Sequence, residues 1–112
     1  MSRDDALVLD IVLAATDAIA FVQDLDWPAF EASRLHQNAV VRSLEIIGEA
    51  ACKLSSDFTA VYPAIPWRNI INTRHRLIHA YSDVRLDIVW RIVKQQLPLL
   101  VAQLQPLVPP NN

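Results

Sequence analysis

The stretch DDALVLDIVLAATDAIAFVQD, residues 4–24, sets the fold class because its polar positions follow a helical period. Asp10, Asp17 and Asp24 recur every seven residues, and almost every residue between them is apolar. Seven residues make about two helical turns, so the aspartates form one narrow polar stripe on an otherwise hydrophobic helix. The pattern predicts a helix that is largely buried against other elements.

A second long helix is predicted to follow directly. Asp26 before Pro28 is typical of a helix start, and the apolar spacing predicts one continuous helix that runs to Leu54. The segment 57–66 contains two prolines and has no sustained period. It is therefore predicted to be a connection in which Asp57 caps at most one short turn.

Two more helices are predicted in the second half of the chain. The third begins near Pro66-Trp67, and the fourth carries an apolar seam over 86–104, where Pro98 predicts a kink or a break. The tail, residues 106–112, is predicted to be frayed. The expected architecture is an all-α antiparallel four-helix bundle with short connections.

Composition supports this architecture and limits the class of protein. A chain of 112 residues forms one domain over 1–112. Its hydrophobic content of 53% with a single glycine favours helices and exceeds what one small core needs, which predicts a homodimer.

Cys52 alone cannot form an internal disulfide and favours a reducing cytoplasm. Asp10 and Asp17 interrupt the first apolar run, so neither a signal peptide nor a membrane span is expected.

Charge is distributed unevenly along the chain. The formal net charge is −2, which argues against a general nucleic-acid binder. Residues 1–66 hold four basic and ten acidic side chains, whereas residues 67–112 hold six basic and two acidic ones. A local positive surface is therefore expected in the second half.

The candidate chemistry lies in TRHRLIHAY, Thr73–Tyr81, on the third predicted helix. Arginine presents a planar fork of donors that matches a phosphate, and histidine is suited to proton transfer near neutral pH. A guanidinium, two imidazoles and a phenol within this short stretch indicate a site directed at RNA.

Arg74 lies on the apolar stripe of this helix, although a charge there is costly unless it is paired. One interpretation is an internal ion pair with Glu45 or Glu49 on the second helix. The other is a cleft at which an anion binds. The two glutamates are predicted to be neutralised by Arg42, Lys53 or Arg74.

Arg74 and His79 are separated by about 140° on an ideal helix, so they flank a groove rather than share a face. A second copy of the helix packed over this groove would bring two such pairs together, which predicts a composite site on a twofold axis. Gly48, the only glycine, lies inside the second helix and predicts a close approach between helices.

A zinc site is the main rival interpretation of this helix. His75 and His79 have the i, i+4 spacing of two zinc ligands. A third ligand would have to come from Asp83 or another helix, and no thiolate is near in sequence. Neither a metal nor a cofactor is therefore predicted.

The motif and its surroundings resemble a known family. The pattern Arg74-x4-His79-Ala80-Tyr81, together with 45–51, 65–68 and 86–90, is similar to the HepT-like branch of the HEPN superfamily. The resemblance extends over most of the chain. It implies a small, α-helical, homodimeric and metal-independent ribonuclease that acts as the toxin of a prokaryotic toxin–antitoxin pair.

The resemblance also assigns roles to residues. Arg74 and His79 correspond to the family's catalytic pair, and the implied partner is a nucleotidyltransferase antitoxin of the MntA type. In some members the antitoxin transfers AMP to the tyrosine that matches Tyr81, and this adds bulk and negative charge beside the arginine.

One departure from the family pattern concerns the residue after the arginine, which is often small and polar in relatives but is His75 here. Three roles are open for His75: a substitute proton carrier, a contact to RNA, or a surface residue of a less active homologue. We expect His75, Arg76 and Arg68 to be substrate-binding or supporting residues. The alternative function is a catalytically silent HEPN-type adaptor that binds a nucleotidyltransferase partner or RNA.

Overall fold

The computed structural model describes residues 1–79 and 84–110, and for Ile78 and His79 it describes the backbone alone. Every regular element in this part of the chain is helical, which confirms the all-α bundle. In chain order the elements are α1 (Arg3–Phe21), α2 (Trp27–Glu31), α3 (Arg34–Lys53), α4 (Ser56–Val61), α5 (Trp67–His79), α6 (Leu86–Arg91), a π-helical turn (Ile92–Gln96), α7 (Leu97–Leu104) and a 3-10 turn (Gln105–Leu107).

The core forms around α1 and α3, but α1 is less buried than the aspartate spacing predicts, because Leu13 and Phe21 are 54% and 42% exposed. Val8, Ile11 and Ala15 on α1 are fully buried, while the aspartate stripe is exposed. Helix α3 occupies the centre of the bundle, because it packs against α1 on one side and α5 on the other. Within the described helices, no segment is both long and apolar enough to cross a membrane.

The prediction of one continuous helix from Asp26 to Leu54 is wrong. Asp26 does cap a helix, by accepting a hydrogen bond from the Ala29 amide, but that helix ends at Glu31. Ser33 has an extended backbone and caps the start of α3 instead. The break occurs because a serine can satisfy the free amides of a new helix start, and this option outcompetes continuation of the helical period.

The connection after α3 also differs from the prediction. It contains the short helix α4, and the residue that caps it is Ser55 rather than Asp57. The Ser55 hydroxyl accepts a hydrogen bond from the Phe58 amide at 3.1 Å. Asp57 lies instead in the first turn of α4, where a carboxylate complements the positive end of a helix.

The C-terminal helical run accommodates Pro98 through an unusual turn. Proline lacks the amide that an α-helix needs, and the residues before Pro98 widen into the π-helical turn, in which the Leu97 amide bonds to the Ile92 carbonyl. The predicted kink or break therefore takes the form of a π turn. The tail predicted to fray from residue 106 is packed further than expected, since Leu107 and Val108 contact the core.

One long-range contact fastens the start of α1 to the junction between α3 and α4. The carboxylate of Asp4 accepts hydrogen bonds from the Ser55 hydroxyl at 2.7 Å and from the Ser55 amide at 2.9 Å. These bonds, led by the hydroxyl, lower the pKa of Asp4 below its ordinary value. Because the folded-state pKa is depressed, the contact stabilises the fold above about pH 4 and is lost as the pH falls through the folded-state pKa.

We therefore expect Asp4→Asn to lower the thermal unfolding midpoint at pH 7, and we expect this difference to shrink as the pH is lowered below about 4. The measurement is thermal unfolding by circular dichroism at a series of pH values. Asp10→Asn, on the exposed face of α1, is the matched control and should change the midpoint less. A difference for Asp4→Asn that stays constant down to acid pH would contradict the assignment.

Candidate active site

Helix α5 carries the candidate site, and aromatic packing fixes where it begins. The Trp67 indole donates a hydrogen bond to the Tyr62 carbonyl at 3.1 Å, and its ring packs edge-on against Phe58. These contacts hold the first turn of α5 against the end of α4. They also fix the rotation of α5 about its own axis, which buries Leu77 and partly buries Ile70 and Ile71.

Arg74 lies on the face of α5 that packs against α3, as the helical period predicts. Directly across from it is Gly48, and a methyl group placed on Gly48 would overlap the Arg74 Cβ and lie 3.1 and 3.2 Å from its Cγ and Cδ. The predicted close approach between helices is therefore confirmed. The group that approaches Gly48 is the aliphatic part of the Arg74 side chain.

The two carboxylates predicted to pair with the Arg74 guanidinium form ion pairs with other side chains. Glu45 pairs with Arg42 at 3.5 Å, and Glu49 pairs with Lys53 at 3.2 Å, both within α3. Among the described residues, no carboxylate oxygen lies within 4.0 Å of Arg74. The interpretation of Arg74 as one half of a buried ion pair is therefore not supported by the described contacts.

Arg74 nevertheless influences the electrostatics of α3. The hydrogen bond and charge of Lys53 lower the pKa of Glu49 below its ordinary value, and the charge of Arg74 contributes a smaller part of that shift. The guanidinium thus lies near the acidic edge of α3 without a direct bond to it. Within the described part of the chain, no hydrogen bond or ion pair engages its donors.

The other basic residues predicted to support the site occupy different faces of α5. Arg76 lines a cleft of about 190 Å³ between α5 and α6, together with Leu77 and Arg85. Arg68 lines a shallow groove against α4. The two arginines are therefore not brought into one cleft within this chain, and His75 is exposed on the surface of α5.

The remaining motif residues are only partly covered by the structure. His79 is the last residue of α5, and its side chain is not described. Tyr81 and Asp83 lie outside the described residues. The predicted convergence of Arg74, His79 and Tyr81 therefore stays a prediction.

Sequence reasoning overlooked a second cleft, which lies beside α3. It has a volume of about 420 Å³, lies between the first half of α3 and residues 84–86, and includes Asn38, Arg42 and Glu45 among its lining residues. The i, i+3 and i, i+4 spacing of these polar residues along α3 is the signal that could have revealed it.

The zinc interpretation stays untested, because the His79 side chain and Asp83 lie outside the described residues. Among the described side chains, no group of three or more His, Cys, Asp or Glu residues is arranged to hold a metal ion.

The bundle and the Arg-x4-His pattern on α5 define a helical protein of the HEPN type. A comparison with protein families identifies it more closely, because the profile "Ribonuclease HepT-like" matches residues 11–107. The chain belongs to the HepT-like ribonuclease family.

Curated relatives agree with this family assignment. The chain is 36% identical over 107 residues to "Putative RNase MJ1380" of Methanocaldococcus jannaschii, covering 94% of this chain and 98% of the relative. It is 35% identical over 108 residues to "Probable ribonuclease HepT" of Thermococcus cleftensis, covering 96% and 98%. No solved structure matches the chain significantly. Together the family and the names of its members support a ribonuclease with RNA as substrate.

Proposed function

We propose that this protein is a metal-independent endoribonuclease in which Arg74 and His79 act on RNA, and that it is the toxin of a prokaryotic toxin–antitoxin pair. The observation that carries the proposal is the state of Arg74. Its stem is held against α3, while the two nearby carboxylates are bound by Arg42 and Lys53. Arg74 is a partly buried residue that forms no ion pair with the described residues, and a guanidinium in this position favours an anion such as a phosphodiester.

RNA supplies its own nucleophile, the 2′-hydroxyl. In the proposed reaction a base removes the 2′-hydroxyl proton, the 2′-oxygen bonds to phosphorus, and the bond from phosphorus to the 5′-oxygen breaks. An acid donates a proton to the departing 5′-oxygen. His79 acts as the base or the acid, and Arg74 stabilises the charge that develops on the phosphorane oxygens. The products are a 2′,3′-cyclic phosphate and a 5′-hydroxyl.

We propose that the complete site forms in a homodimer. The angle of about 140° between Arg74 and His79 on an ideal helix leaves a groove between them that one chain does not close. A twofold contact across α5 would bring two pairs together. Arg76 and Arg68, which line different grooves beside α5, would then hold flanking phosphates, with His75 near the path of the RNA.

The proposed antitoxin is a nucleotidyltransferase of the MntA type, and Tyr81 is its proposed target. Transfer of AMP to the Tyr81 oxygen, with release of pyrophosphate from ATP, would place a negative charge close to Arg74 in sequence. That charge would disfavour an incoming phosphate. A cytoplasmic location suits both partners and the RNA substrate.

The test is incubation of purified protein with a labelled RNA in excess EDTA. We expect cleavage to proceed at an unchanged rate after chelation, with products that end in a 2′,3′-cyclic phosphate and a 5′-hydroxyl. Mass spectrometry of the same preparation must show Tyr81 without AMP, and light scattering at micromolar concentration should give the mass of a dimer. Intact RNA in an unmodified dimeric preparation would favour the silent adaptor. Loss of cleavage in EDTA that is reversed by added Mg²⁺ or Zn²⁺ would contradict the metal-independent reaction.

A further inference from the structure

We propose that Gly48 is a positioning residue for Arg74, so that the site depends on α3 as well as on the motif of α5. This inference rests on the proposed function, because it concerns the placement of the guanidinium that would bind the scissile phosphate. Gly48 itself touches neither the substrate nor a reacting atom. Its role is to provide the space in which the arginine stem lies.

The geometry at this crossing leaves no room for a larger residue. A Cβ on Gly48 would overlap the Arg74 Cβ and lie 3.1 Å from its Cγ and 3.2 Å from its Cδ. Three successive carbons of the arginine stem therefore run over the surface that the glycine leaves open. Because these carbons belong to the part of the side chain next to the α5 backbone rather than to its flexible end, they cannot move aside without moving the guanidinium.

Glycine at this position has no local justification in α3. It weakens a helix interior relative to alanine, and no positive φ angle occurs at Gly48. The contact across to α5 is thus the property that glycine alone supplies. On α3, Glu45 and Glu49 are each paired with a cation of the same helix, so among the described residues Arg74 is held at Gly48 by packing and not by an ion pair.

The direct test is Gly48→Ala. We expect RNA cleavage to fall by about 10²-fold, mainly in kcat, because a guanidinium displaced by about 1 Å loses its alignment with the transition state. Binding of the rest of the RNA should change less, so KM should stay within a few-fold of its original value. Cleavage is to be measured at a temperature where circular dichroism shows the variant to be folded.

A double-mutant cycle separates this role from general helix packing. Arg74→Gly removes the Cβ that the new methyl group would overlap, so adding Gly48→Ala to Arg74→Gly should change the residual rate less than twofold. The same comparison is made when free guanidinium ion, at low millimolar concentration, restores cleavage by the two variants that carry Arg74→Gly. Equal losses from Gly48→Ala in both backgrounds would overturn the proposal.

Two further measurements keep the test decisive. Ala50→Val adds volume at a buried position of α3 that borders a groove against α1, and it should leave kcat unchanged where the protein is folded.

If Gly48→Ala does not fold, the double variant should fold as well as Arg74→Gly; failure to do so overturns the assignment. If the original protein does not cleave RNA, both the proposed function and this role are wrong. If it cleaves RNA but the losses from Gly48→Ala and Arg74→Gly are additive, only this role is wrong.

Discussion

His79→Ala is expected to lower the rate of RNA cleavage by about 10²- to 10⁴-fold, the range typical for loss of a general acid or base. The reaction needs one group to accept the 2′-hydroxyl proton and one to protonate the leaving oxygen. His79 is the motif residue whose side chain can do either near neutral pH. Single-turnover cleavage of a labelled RNA, with the variant checked for folding and dimer mass, measures the effect.

His75→Ala is the matched control, because it removes the same imidazole one turn earlier on the same helix. We expect a smaller loss that is confined mainly to KM, since His75 is proposed to contact RNA and not to transfer protons. The pH profile gives a second criterion, because a limb that depends on proton transfer by His79 should vanish in His79→Ala and persist in His75→Ala. If the two variants exchange these behaviours, proton transfer belongs to His75.

Much of the fold could be predicted because local periods determine it. The aspartate spacing of α1 and the apolar period of α5 each describe a single helix, and both helices form where they are expected. Their burial is less complete than predicted, because α1 exposes Leu13 and Phe21 and the face of α5 is only partly buried at Ile70 and Ile71. The break before α3 could not be predicted from such periods. It depends on a competition at Ser33, and on the Gln37 amide, which donates to the Phe30 and Glu31 carbonyls at the end of α2.

The candidate site was predictable in part for the same reason. The helical period places Arg74 on the inner face of α5, and a lone mid-helix glycine predicts a close contact. The sequence does not reveal that these two features meet, because the register between two helices depends on the whole bundle. Nor does it decide which cation pairs with Glu45 or Glu49, because neighbours at i±3 and i±4 compete with a residue on another helix.

The largest effect on stability is expected at Phe30, the main apolar anchor of the short helix α2. Phe30 is 0% exposed, and its ring centroid lies 5.0 Å from that of Trp90 on α6 and 6.3 Å from that of Trp27. Lys94 extends this cluster, since its ammonium lies 4.7 Å from the Trp90 ring and donates to the Val22 carbonyl after α1. The cluster thus joins α2, the C-terminal run and the end of α1.

Phe30→Ala is therefore expected to lower the free energy of unfolding by about 3–5 kcal/mol, the usual cost of emptying a buried aromatic site. That is a large share of the roughly 5–15 kcal/mol available to a small domain. Urea unfolding measures the change. Phe21→Ala is the matched control, because the same ring is 42% exposed there and should cost less. Since α5 packs mainly on α3, Phe30→Ala should still cleave RNA at temperatures where it is folded. Loss of kcat in the folded variant would mean that the aromatic cluster also shapes the site.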